Sequence, residues 1–167
     1  LQIGTSTLTA TLSLSGGGAV TDTDGSTLAV NGNASFSGSS ITIGDNAGDT
    51  TNFGSLTFNS AGAVAITEDS ATELTGTNSG DSLTLTSAGA LTDDIDGTAT
   101  QITNGATLAA TSITLGDDGG DTVNFGSITA TATAGGVTIT EDSDMVVTSI
   151  DTSATDDDSN DVSLTSD

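Results

Sequence analysis

The stretch ITIGDNAGDTTNFGSL, Ile41–Leu56, returns as ITLGDDGGDTVNFGSI, Ile113–Ile128, with eleven of sixteen positions identical. Phe53 and Phe125 set the separation at 72 residues. A near-identical segment at a fixed distance is an internal repeat. Repeats of this size build stacked architectures in which each unit buries its apolar face on its neighbour. Around the two copies the dominant pattern is alternation: Leu12 and Leu14, Ile41 and Ile43, Val64 and Ile66, Leu83 and Leu85, Ile113 and Leu115, Val137 and Ile139. The residues between are Ser, Thr or Ala, which is the period-2 signature of strands with one buried face. Clusters of Gly, Asn and Asp interrupt the pattern every few residues, as turns require. No segment keeps a helical period of 3.6.

The 72-residue unit divides further. Strands that open on an apolar pair begin at Leu12, Ala34, Leu56, Leu83, Ala106, Ile128 and Val162, in steps of 22, 22, 27, 23, 22 and 34 residues. A second apolar strand follows each of the first six pairs, and a third apolar position follows near Val30, Phe53, Leu74, Ile102, Phe125 and Val147. Three short strands in about 22 residues make one coil of an all-β parallel β-solenoid, and three coils make the long unit. Stacked at about 4.8 Å, each strand bonds to the same strand above and below. Phe36 over Phe58 is one expected step of the core. The longer steps place loops at Thr75–Ser82 and Ser149–Asp161, the second carrying Asp156, Asp157 and Asp158. An antiparallel β-sandwich also has short strands and frequent turns, but it does not account for matching turns at fixed intervals. Disorder, which high net charge favours, is opposed by regularly spaced Leu, Ile and Val. The chain reads as a single segment over residues 1–167, with units at approximately 12–82 and 83–161, belonging to something longer.

Composition narrows the function. There are 23 acidic residues and no Lys, Arg or His, for a net charge of −23. Nucleic acids and anionic membranes both require clustered basic residues, so neither is an expected partner. Without His, Cys or Lys there is no Ser-His-Asp or Cys-His triad, no Schiff base and no tetrahedral zinc site. A glycosidase needs only two carboxylates, yet a sugar cleft also wants aromatic platforms, and the chain has no Trp or Tyr and four Phe. The expectation is a protein that is not an enzyme. The absence of Cys leaves the redox compartment unread.

The phrases LSLSGGGAVTD, NASFSGSSITIGDN, FGSLTFNSAGAVAITEDS and SLTLTSAGALTDD resemble the repeat regions of very large bacterial exoproteins, the filamentous-haemagglutinin-like and autotransporter-like β-helix adhesins. The resemblance covers nearly the whole chain and is one of repeat style. It implies a right-handed parallel β-helix, export to the cell surface, and a structural or adhesive role in an extracellular fibre, with self-association or continuation into a filament and an unspecified surface glycan as partners. It brings no catalytic residues. The alternatives are a carbohydrate-binding or carbohydrate-cleaving β-helix and an ice-binding solenoid. For ice, the outward Thr of TATLSLS and ITATATA are too irregular, and Thr is in any case a favoured strand residue.

GDNAGD and GDDGGD could be read as phosphate or calcium loops. Phosphate is disfavoured because no Lys follows, and the GGxGxDxLx calcium nonapeptide is not matched. Gly at positive φ and Asp or Asn bonding their own backbone explain both as turns. A broader pattern concerns cations. Two residues after the last apolar position of each second strand stands a carboxylate: Asp22, Asp45, Glu68, Asp93, Asp117 and Glu141. If the coils align as above, these form one column at about 5 Å spacing, unrelieved by any basic side chain and suited to a hard ion such as Ca²⁺.

Overall fold

The computed structural model describes residues 1–94, 97–152 and 160–166. It is all strand and turn: β1 (Gln2–Ile3), β2 (Ser6–Leu8), β3 (Leu12–Ser15), β4 (Val20–Asp22), β5 (Thr27–Gly38), β6 (Ile41–Ile43), β7 (Thr50–Ser60), β8 (Ala63–Glu68), β9 (Thr72–Leu74), β10 (Thr77–Gly80), β11 (Ser82–Ser87), β12 (Leu91–Asp93), β13 (Ala99–Ala110), β14 (Ile113–Leu115), β15 (Thr122–Ala132), β16 (Val137–Glu141), β17 (Val147–Asp151) and β18 (Val162–Ser166). Neighbouring strands pair in parallel between residues about 22 apart, giving a β-solenoid of about seven turns.

Three faces run along the solenoid. The first stacks β1, β4, β6, β8 and β11, then the second halves of β13 and β15, then β17. The second runs through β2, the first halves of β5 and β7, β9, β12, β14, β16 and β18. The third takes β3, the second halves of β5 and β7, β10, and the first halves of β13 and β15. On each face alternate residues point inward, and these are the Leu, Ile, Val and Phe of the alternation. One coil alone would leave them wet; stacking removes them from water, and each large side chain so buried contributes roughly 1.5–3 kcal/mol. The expected step of Phe36 on Phe58 is present, with both rings fully enclosed.

The alignment of coils departs from the sequence reading at two places. Leu83 pairs with Val64, not with Leu56, and Leu85 with Ile66. Thr77–Gly80, expected as part of a bulging loop, is strand β10 inside the stack, where Ser79 lies beside Asn59. The reason is a buried amide. Asn78 is 0% exposed, its Oδ1 accepts from Phe58 N at 3.0 Å and its Nδ2 donates to Thr75 O at 3.3 Å. A polar residue whose bonds are met inside can hold a core position, and a search for apolar pairs passes over it. Likewise Val162 and Leu164 pair with Val137 and Ile139 on the second face, not with Ile128 and Ala130. Within the expected Ser149–Asp161 loop, Ser149–Asp151 belong to β17, and Asp156, Asp157 and Asp158 lie outside the described residues.

Counting along the first face, three coils take Ile41 to Ala106. The repeat is longer than that by one strand. Ile41 and Ile43 therefore lie on the first face, but their counterparts Ile113 and Leu115 lie on the second. Phe53 lies on the second face and Phe125 on the third. The 72-residue unit is three coils and a third.

Candidate metal centre

This rotation decides where the carboxylates fall. Asp22, Asp45 and Glu68 gather at the corner between the first and second faces. Asp93, Asp117 and Glu141 gather at the corner between the second and third. The expected single column of six is two groups of three, one per copy of the repeat.

Within each group the positions are not equivalent either. Asp22 ends β4 on an inward position: it pairs with Ile3, and the register of Val20 with Ile41 sets it beside Ile43. It is 4% exposed. Alignment on the last apolar residue of each strand sets Asp22 two residues out of phase with this register. Asp93 stands the same way on the second face, paired with Leu74. Asp45 follows Gly44, whose φ of 71° turns the chain out of β6, and its side chain is exposed. Glu68 and Glu141 again close an inward alternation, each 1% exposed.

The carboxylate of Glu68 is fully occupied. Its Oε1 accepts from Phe53 N at 2.9 Å and Ser70 Oγ at 2.9 Å, and its Oε2 accepts from Thr72 Oγ1 at 2.7 Å. It ties the strand of Phe53 to the coil above. Burial pushes its pKa up, against the pull of those bonds. Glu141 does the same for Phe125, whose N–H it accepts at 2.6 Å on Oε1, but Oε2 has no partner. These two are braces.

A different pair of residues completes a site. One carboxylate oxygen each of Asp22, Asp45 and Asp49 lies within 4.8 Å of the others, a grouping that could hold a metal ion. Asp49 was absent from the sequence column because it stands at the far end of the turn GDNAGD. Its signal was in the sequence all the same: Asp121 holds the matching place in GDDGGD.

Backbone N–H groups and the Ser26 hydroxyl hold the carboxylates of Asp22 and Asp49 in place. Asp22 Oδ2 accepts from Gly44 N at 3.0 Å and Ser26 Oγ at 3.3 Å, while its Oδ1 is buried with no partner. Asp49 accepts from Ser26 N on Oδ1 at 3.0 Å and from Asn46 N on Oδ2 at 2.9 Å. Burial, and secondarily the charge of Asp49, raises the pKa of Asp22. In the second copy Asp93 Oδ2 accepts from Gly116 N at 2.7 Å and Asp121 Oδ1 from Thr98 N at 2.9 Å. There Asp93 Oδ1 and Asp121 Oδ2 are both buried without a partner. Burial first, then the charges of Asp121 and Asp117, push the pKa of Asp93 up to about 6.

Two shallow grooves lie over the glycines that follow the repeated Phe, one along Asn31, Asn52 and Gly54 and the other along Thr103, Asn124 and Gly126. Phe53 and Phe125, which line them, are buried.

No family model, no curated protein and no solved structure matches this chain.

Proposed function

We propose that this chain is a non-catalytic structural segment of an extracellular bacterial fibre or surface adhesin. The observation that carries the reading is the stack itself. Parallel strands continue from coil to coil on all three faces, with Ser and Thr outward and the apolar residues enclosed. At one end Val147 and Val162, on β17 and β18, are among the few large apolar residues left exposed. Such an edge takes a further coil or a second copy by the same pairing that builds the interior. The resemblance in repeat style to haemagglutinin-like and autotransporter-like adhesins supports the cell surface as its place, and Ca²⁺, which is bound by oxygens alone, is the ion its acidic corner would take.

Electron microscopy of the purified chain, with antibody labelling of intact cells, tests this. End-to-end filaments and surface label are expected. A monodisperse monomer that labels only after cell lysis would overturn it.

A further inference from the structure

We infer that Asp22, Asp45 and Asp49 form a Ca²⁺ site that staples two successive coils. The choice of ion rests on the reading just given; the site rests on its own geometry. Asp22 comes from one coil and Asp45 and Asp49 from the next, with carboxylate oxygens within 4.8 Å of one another. Three like charges at that separation repel, and the chain offers no basic side chain to relieve them.

A second observation points to a ligand. Asp22 is almost wholly buried, and while one of its oxygens is held by Gly44 N and Ser26 Oγ, the other has no partner. A buried, unpaired carboxylate oxygen is costly, and a cation removes that cost together with the repulsion. The backbone N–H groups of Gly44, Ser26 and Asn46 hold the carboxylates of Asp22 and Asp49 in place, as outer hydrogen bonds hold the ligands of a metal. Asp45 lies on the exposed side, where solvent can complete the six to eight oxygens that Ca²⁺ takes. Nitrogen and sulfur ligands are missing, so zinc and copper have nothing to prefer.

The second copy keeps two of these backbone bonds one corner further round, but Asp93, Asp117 and Asp121 are not gathered within the same reach of one another. Gly116 N takes the place of Gly44 N and Thr98 N that of Ser26 N. Two carboxylate oxygens there, Asp93 Oδ1 and Asp121 Oδ2, are buried and unpartnered.

Calorimetric titration of the chelator-treated chain with CaCl₂, in sodium chloride at fixed ionic strength, is the test. One saturable site per chain is expected. Asp45→Asn should abolish it and Asp117→Asn should leave it intact; both side chains are exposed, so circular dichroism should stay unchanged. Saturating Ca²⁺ should raise the melting temperature by several degrees more than sodium at equal ionic strength. If Asp45→Asn fails to fold, Asp45→Glu serves, with weaker binding expected. Binding that is untouched by substitution of Asp45, or absent from the native chain, would overturn the site. Mg²⁺ binding as tightly as Ca²⁺ would overturn the choice of ion. None of these results bears on filament formation, so the two readings fail separately.

Discussion

Gly44 and Gly116 hold the same left-handed turn in the two copies, at φ of 71° and 70°, whereas Phe36 and Phe58 of the first copy answer to Leu108 and Ala130 of the second. The turns are kept and the filling is exchanged. The shift of face explains part of this. Phe36 and Phe58 fill the third face, and the ring of Phe36 also meets Phe53 at 5.7 Å between centroids. Leu108 and Ala130 belong to the first face, whose inward column is aliphatic from the coil after Asp22 onward: Ile43, Ile66, Leu85. A buried position answers to its neighbours above and below. A turn answers to its own backbone, and so survives being moved to another corner.

The largest expected effect breaks the comparison at its core. Phe58→Ala should cost about 3–5 kcal/mol in urea unfolding, since the ring is wholly enclosed. The converse change, Ala130→Phe, adds volume to a filled column and should cost about 1–3 kcal/mol. Next come the turns, where the copies should behave alike. Gly44→Ala and Gly116→Ala each force a side chain into a left-handed backbone against a neighbouring carbonyl, Thr67 O or Thr140 O. Each should cost about 1–3 kcal/mol, and a clear inequality would show that the turns are less equivalent than their dihedral angles.

A smaller effect separates the two buried glutamates. Thr72 donates to Glu68, but the corresponding residue below Glu141 is Met145. Thr72→Val should strand Glu68 Oε2 as Glu141 Oε2 is stranded, at a cost of about 1–2 kcal/mol.

The finest test is a slope. Asp93 ionises near 6 when folded against 3.8 for a free carboxyl. The folded state therefore holds this proton more tightly, and in chelator its contribution to stability is full below 3.8 and falls as pH rises towards 6. Chemical unfolding followed across that window should show the decline, and Asp93→Asn should flatten it.

Much of this architecture was legible in the residues. The alternation of Ile41 with Ile43 and Val64 with Ile66, and the return of NFGS, were enough for coils of about 22 residues and for Phe36 upon Phe58. What escaped was phase. Asn78 carries no apolar signal, yet it occupies the core because its amide is satisfied there, so its strand reads from the sequence as an insertion. From that point the alignment ran one face behind, and two groups of acids looked like one. Asp22 was misread for a related reason. An inward carboxylate at the end of a strand has the same sequence appearance as an outward one in a turn, and only the register with Ile41 tells them apart. Asp49 needed the turn to fold back on itself, which spacing alone does not show.

The extra third of a turn in the 72-residue unit has a mechanical consequence. A chain that went on in such steps would carry its acidic corners along a screw line about the axis, returning to the same side only after three units. Negative charge would then be shared around the circumference rather than gathered on one flank. A rod charged in that way has no side that repels more than another, bends with equal resistance in every direction, and meets a neighbouring rod alike from any approach.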